Sequence, residues 1–254
     1  MSRTVIFFCT GIVALLIMTG CASVKDSLST PDITLEELEK KMDQATDPSG
    51  IFAQSRTYSL LQQVSTKRFL SDPDEYLVEV KFETPDKFSL TTYEENRPVS
   101  MWCSDGKRGW IADYNSRKIQ MLDGKALRRM TVMAQISNPR ESYTKIFPKV
   151  ELHACSNELG NFYRIDCFGE EQNYPISIYV DAGSYLVKRM KFDAVVGSST
   201  ISYDARIKKY ELREGVMVPV LTEIIQDGET QISKITSYRL NVSIPETDFL
   251  PPVF

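Results

Sequence analysis

The chain reads as mainly β with a small helical cap, an antiparallel meander curled so that alternate residues face inward. Three observations predict this. Short segments rich in β-branched and aromatic residues, several of them alternating apolar and polar, follow one another along most of the chain. Their connections are of hairpin length and carry turn chemistry: "SDPD", "TPD", "EENRP", "SDGK" and "YNSR". Helical spacing is confined to one stretch near the N-terminus and a second in the middle.

Taking the elements in order, residues 1–20 read as a lipoprotein signal peptide. Arg3 precedes an apolar run over 5–18, and the small pair Thr19 and Gly20 leads straight into Cys21. The run is shorter than the roughly 20 apolar residues that a membrane-spanning helix needs. Small residues followed directly by cysteine resemble a bacterial lipobox, with Met18 where Leu is usual, so Cys21 is the expected lipidation site and first mature residue. The alternative is an ordinary signal peptide or short anchor with an incidental cysteine. Residues 21–32, with the Ser-rich run "ASVKDSLSTP", are then a lipidated N-terminus and flexible linker, and 33–254 one domain.

In "TLEELEKKMDQA", Thr34 and Glu37 form a capping box, and Leu35, Leu38, Met42 and Ala45 share one face of a helix ended by Asp47-Pro48-Ser49-Gly50. Strands are expected over 57–64, 75–82, 87–93, 99–103, 109–114 and 118–122. The middle helix, "GKALRRMTVMAQI", carries Leu127, Met130, Met133, Ala134 and Ile136 along a stripe, and "RESYTKIF" suggests a second helical turn after Pro139. Strands resume over 150–155, 162–168, 176–180, 186–192, 200–212, 217–226 and 231–242. If Met101 and Cys103 face inward on their strand, Trp102 points outward, and a one-residue bulge would reverse the assignment.

A hydrophobic fraction of 42% and an aromatic fraction of 10% are those of a chain with a real core. Net charge is −4, or −5 without Arg3, and no concentrated basic face is present, which argues against nucleic acid as a partner. Three cysteines follow Cys21. Cys155 and Cys167 flank the turn-like "SNELGN", which offers a disulfide across or beside that hairpin; three buried free thiols are the other option.

Chemistry for catalysis is sparse. The single histidine, His153, excludes a His-dependent triad elsewhere and any His-pair zinc site. His153, Cys155, Cys167 and Asp166 match no established zinc spacing, and no phosphate loop, G-x-S-x-G or H-E-x-x-H occurs. The expectation is a non-enzyme without metal or cofactor.

The segment "VSMWCSDGKRGWIADYNSRKIQML" resembles the outer-membrane lipoprotein-sorting family, which includes the carrier LolA and the receptor LolB. The resemblance rests on a strand entering the turn Ser104-Asp105-Gly106-Lys107, a strand bearing Trp110, and a turn at Tyr114 and Asn115. Upstream, "VKFETPDKFSL" is similar to the family's strand, proline and aromatic-bearing strand. Later blocks such as "IYVDAGSYLVKRMKF", "YELREGVMVPVLTEI" and "LNVSIPETDFLPP" follow its last hairpins. The resemblance implies a LolA-like unclosed antiparallel β-barrel of about 11 strands, with helices covering a concave apolar cavity for lipid or lipoprotein acyl chains. By position it makes Phe88, Leu90 and Trp110 cavity residues and Leu127, Met130 and Met133 lid residues. Carrier members place an Arg before the proline of the second strand turn; here Thr84 precedes Pro85. A lipid anchor also suits a stationary receptor better than a shuttle. The implied role is lipid or lipoprotein sorting or transfer in the cell envelope. Ala22 lacks the Asp that retains many lipoproteins in the inner membrane, so the outer membrane, facing the periplasm, is the expected location. The competing function is a protein-interaction or envelope-stress sensor module with a collapsed cavity and an envelope protein as partner.

Overall fold

The computed structural model describes residues 26–67, 74–122, 124–136, 141–169, 175–196, 199–226 and 228–254. The signal segment 1–20 and Cys21 lie outside the described residues. The strands are β1 (Ser27–Ser29), β2 (Thr57–Lys67), β3 (Asp74–Glu83), β4 (Lys87–Glu94), β5 (Arg97–Asp105), β6 (Gly109–Asp113), β7 (Lys118–Met121), β8 (Lys149–Asn157), β9 (Gly160–Phe168), β10 (Ile176–Asp181), β11 (Val187–Val196), β12 (Ser199–Arg213), β13 (Val216–Gln226) and β14 (Glu229–Leu240). The helices are α1 (Leu35–Thr46), α2 (Ile51–Gln54), α3 (Gly124–Ile136) and α4 (Tyr143–Ile146), and Glu246–Phe249 forms a 3-10 turn. No described helix is long and apolar enough to cross a membrane.

All strands join one antiparallel sheet in the order β1-β8-β9-β10-β11-β12-β13-β14-β2-β3-β4-β5-β6-β7. The described residues hold 14 strands, more than the 11 or so that the resemblance implies: each of the thirteen segments read as strands forms one, and β1 is added at the edge. The sheet is unclosed, with β1 and β7 as its edges. Its curl follows from lengths. One end of α3 sits on Gly109 of β6, while Ile136 at its other end is buried in a cluster that includes Ile165 of β9 and Ile178 of β10. Strands β6 and β10 are nine places apart in the sheet, about 43 Å if flat, whereas a 13-residue helix is only about 20 Å long. The sheet therefore wraps around α3.

Local chemistry sets the caps. The Thr34 hydroxyl accepts from the Glu37 amide at 3.2 Å and the Glu37 carboxylate accepts from the Thr34 amide at 3.0 Å, the capping box expected from the spacing. Leu38 and Met42 are buried, as the helical stripe requires. Asp47 then accepts from the Ala53 amide at 2.9 Å, and Gly50 takes a left-handed conformation (φ 68°), so the chain turns into α2 and buries Phe52. Sequence periodicity does not reveal α2, because a single turn is too short to show a repeat.

Two expectations are corrected. Residues 21–32 are not leash throughout: Ser27, Leu28 and Ser29 pair with Ser156, Cys155 and Ala154, because the edge of β8 offers free backbone groups to any extended segment beside it. The Cys155–Cys167 bridge is absent, since both thiols are free and buried. Cys155 lies opposite Phe162 in the β8–β9 ladder and Cys167 opposite Val150, five positions along β8 and on the other face. Burial pushes the Cys103 and Cys167 thiols up to about 12 and Cys155 to about 11, so none is a ready thiolate. Cys167 also faces away from His153 and Asp166, and no group of metal-ligating side chains occurs among the described residues.

The outer face is covered in two ways. Over β4 and β5 the 3-10 turn and C-terminal residues lie down on the sheet. Phe249 is fully buried, Lys87 and Lys81 pair with Glu246 (2.7 Å) and Asp248 (3.1 Å), and Leu250 packs on Met101, Cys103, Trp110 and Ala112. Across β8–β12 the outer face instead carries a hydrogen-bonded network. Arg189 binds Asp204 through two bonds of 2.6 Å, and Arg206 adds two more at 2.8 and 3.1 Å. Arg164 bonds Asp166 (2.8 Å) and Asp26 (3.1 Å), and Tyr179 donates to Asp26 at 2.7 Å with the Arg164 and Arg189 guanidinium groups 5.8 and 5.5 Å from its ring.

Burial raises the Asp204 carboxyl, but the bonds and charges of Arg189 and Arg206 outweigh it and hold the group below the usual carboxylate range. Asp26 is held low in the same way: burial raises it, and bonds from Tyr179 and Asn157 with the Arg164 charge more than offset that. Each group binds its proton more weakly in the folded chain than in the unfolded one. The resulting stabilisation is complete above the unfolded carboxylate pKa of about 3.9 and is lost as pH falls through the depressed folded values. Urea unfolding followed from about pH 6 to about pH 3 should show stability declining, and Asp204→Asn should flatten that decline while costing about 3 kcal/mol at the upper end, because Arg189 is left buried without its partner.

Candidate functional site

The inner face of the sheet carries two apolar clusters. In the first, Ile165, Cys167, Ile178 and Val180 of β9 and β10 meet Leu38 and Met42 of α1 and Tyr143 and Ile146 of α4. In the second, Tyr58, Phe82, Phe88, Val218 and Tyr238 from β2, β3, β4, β13 and β14 meet Phe52 of α2. The Tyr58 ring stacks on Phe82 at 5.2 Å, which ties β2 to β3 across the ladder. Helix α3 belongs to both clusters: Leu127 and Met130 pack on the second, Val132 and Ile136 on the first.

The seat of α3 is Gly109. A Cβ there would lie 2.7 Å from Leu127 Cδ1, 3.2 Å from Met130 Cε and 3.3 Å from Leu122 Cδ1. Only a residue without a side chain lets the helix approach the strand so closely. Away from this seat, towards the opposite ends of the strands, the inner face mixes aromatic and polar side chains. Phe192 and Tyr203 stack at 4.7 Å with rings 7° from parallel, both half-buried, and Tyr76 reaches Gln231 at 3.5 Å. Polar groups on this floor include Gln62, Ser233, Thr92 and Gln231, with Ser233 donating to Gln62 at 3.2 Å. Such a surface combines apolar area with a few hydrogen-bonding groups.

The residues expected at the cavity divide. Phe88 is buried on the inner face, and Leu90, two positions on, pairs with Val80 and Trp102 on that face. Leu127 and Met130 of α3 lie over them. The Met133 side chain falls outside the described residues. Trp110 is corrected to the outer face: it pairs with Cys103 and is buried with Met101, Cys103 and Ala112 beneath Leu250, with the Arg108 guanidinium 5.3 Å from its ring. Trp102 is corrected in the opposite sense. It packs on the inner cluster beside Leu90, with no bulge between the two strands at this point. The resemblance misplaced Trp110, and alternation alone could not fix the face of Trp102, because the C-terminal segment covers the outer face and both sides of β5 are apolar. Tyr203, Phe192 and Tyr76 were missed for want of any signal beyond ordinary strand composition.

A cleft of about 310 Å³ lies among Ser29, Asp32, Cys155, Asn161, Phe162 and Tyr163, where β1 joins the sheet. No residue of α3 lines it.

Filling the seat at Gly109 should loosen the helix without unfolding the sheet. Gly109→Val is expected to cost about 1–3 kcal/mol and to speed amide exchange across 124–136 while β9 and β10 keep their protection. Mass-spectrometric hydrogen exchange reads both at once.

No protein-family model matches the chain, and no curated protein matches its sequence. Solved structures do. A LolA superfamily protein from Nitrosomonas europaea superposes with a TM-score of 0.58 at 13% identity, over 86% of this chain and 98% of that one. A putative outer membrane lipoprotein-sorting protein domain from Vibrio parahaemolyticus gives 0.57 at 10% identity, over 85% and 95%. A DUF1329 family protein from Desulfovibrio piger gives 0.54 at 11%, over 87% and 98%. At such identities the likeness speaks for the fold: this chain has the unclosed, helix-covered antiparallel sheet of the LolA-like structures.

Proposed function

We propose that the chain is a non-catalytic envelope lipoprotein, tethered through lipidated Cys21 to the outer membrane, that binds lipid or lipoprotein acyl chains on the inner face of its sheet for sorting or transfer. The observation that carries the reading is that one helix, α3, spans two separate apolar clusters and rests on the sheet through Leu127 and Met130 at Gly109. An apolar chain sliding between α3 and the sheet would gain roughly 25 cal/mol for each Å² it removes from water, with no chemical step required. Methionine at the contact repacks readily around guests of different shape. Fold likeness to a lipoprotein-sorting domain supports the same reading. Ala22 next to the anchor supports the outer membrane as its destination.

With Cys21→Ala removing the anchor, a fluorescent fatty-acyl probe should bind the folded chain, and Leu90→Glu should weaken binding tenfold or more, since about 1.4 kcal/mol corresponds to a factor of ten. Ile119→Glu, on the far edge strand, should leave it unchanged. An unaltered chain that takes up no acyl probe, and that copurifies from its envelope with a protein but no lipid, would establish the sensor or scaffold reading instead.

A further inference from the structure

Where the chain enters the sheet, three side chains hold it. The Asp26 carboxylate accepts from Asn157 at 3.0 Å, Tyr179 at 2.7 Å and Arg164 at 3.1 Å, and Ser27–Ser29 pair with β8 immediately after. Only five residues, 21–25, precede Asp26, and covalent geometry lets them span no more than about 17 Å. Asn157 begins the β8–β9 turn, and the turn exposes Leu159 (55%); Leu28 on β1 is exposed as well (44%). These leucines stand beside the pinned end of the tether, and a short leash fixes the distance of both from whatever holds Cys21.

We infer that the β8–β9 turn with β1 is a membrane-docking edge, Leu159 and Leu28 inserting into the lipid interface beside the Cys21 anchor. The inference rests on the proposed lipidation of Cys21. Docking at this end directs the opposite strand ends, where Phe192 and Tyr203 lie, away from the bilayer. Depth is that of an interfacial element, about 5–10 Å into the headgroup region. Glu158 next to Leu159 opposes an anionic surface, so the partner is a zwitterionic bilayer.

The full lipoprotein reconstituted into phosphatidylcholine vesicles tests this. A polarity-sensitive fluorophore is attached at Leu159→Cys, Leu28→Cys or Ile119→Cys in separate proteins. The native thiols Cys103, Cys155 and Cys167 are buried and stay unlabelled. Vesicle flotation and quenching by nitroxide-bearing lipids are measured together. Expected are flotation of all three proteins, blue-shifted and quenched emission at positions 159 and 28, and neither change at 119 on the far edge strand. Water-like emission at 159 and 28 on floated protein would overturn the docking edge while leaving the anchor intact. A blue shift that lipid nitroxides cannot quench would also overturn it, and would place a protein partner or a second copy on this edge. Failure to float would overturn it together with the anchor.

Discussion

A sheet of 14 strands that bends without closing must fill an interior wider than its own side chains can reach, and the rest of this structure answers that constraint. The interior is occupied in two places, by α1 and α4 against β9 and β10, and by α2 against β2, β3 and the last two strands. Between the two lies α3, which neither cluster holds alone. Its contact with the second depends on a missing side chain at Gly109, so the closest approach of helix and sheet is also a contact of methyl groups on a bare backbone. Apolar contacts of this kind are non-directional, and an alkyl chain can replace them one for one.

The two halves of the outer face show how differently a sheet can be shielded. Over β4 to β6 the covering is the chain's own C-terminal segment, with Phe249 buried, Leu250 half-buried and Phe254 edge-on to Tyr114 at 5.4 Å. Over β8 to β12 it is a lattice of arginine and aspartate around Tyr179, dense enough that Asp166 and Arg189 are almost wholly removed from water. Such a lattice is specific in a way that apolar cover is not: each carboxylate has one geometry that satisfies it, and loss of a partner strands a buried charge. Asp26 is drawn into it, which converts a segment of polar, linker-like composition into a fixed point of attachment.

Much of this was legible from residue order. Turn chemistry and short apolar runs located most strands, and Thr34 with Glu37 announced the start of α1 before any contact was known. The stripe of Leu127, Met130 and Ile136 marked α3 as a helix with one apolar side, and Phe88 and Leu90 belong to the face assigned to them. These features are local: each depends on residues within a few positions of one another. What failed was the assignment of faces on β5 and β6. Met101, Trp102, Cys103 and Trp110 are all apolar, and a strand covered on both faces has no polar side to identify its outside.

By itself, then, the sequence determined the antiparallel meander and its helical interruptions, because propensity, capping and turn geometry act between near neighbours. Only the tertiary structure decided that Trp102 turns in and Trp110 turns out, that Cys155 and Cys167 stand on opposite faces, and that Asp26 is pinned against Tyr179. Those outcomes depend on residues more than a hundred positions apart meeting across the sheet: Leu250 over Met101, Asp26 beside Arg164, and Leu38 among the residues of β9 and β10. Strand register and the covering of each face fix such meetings, and neither is written in any short stretch of chain.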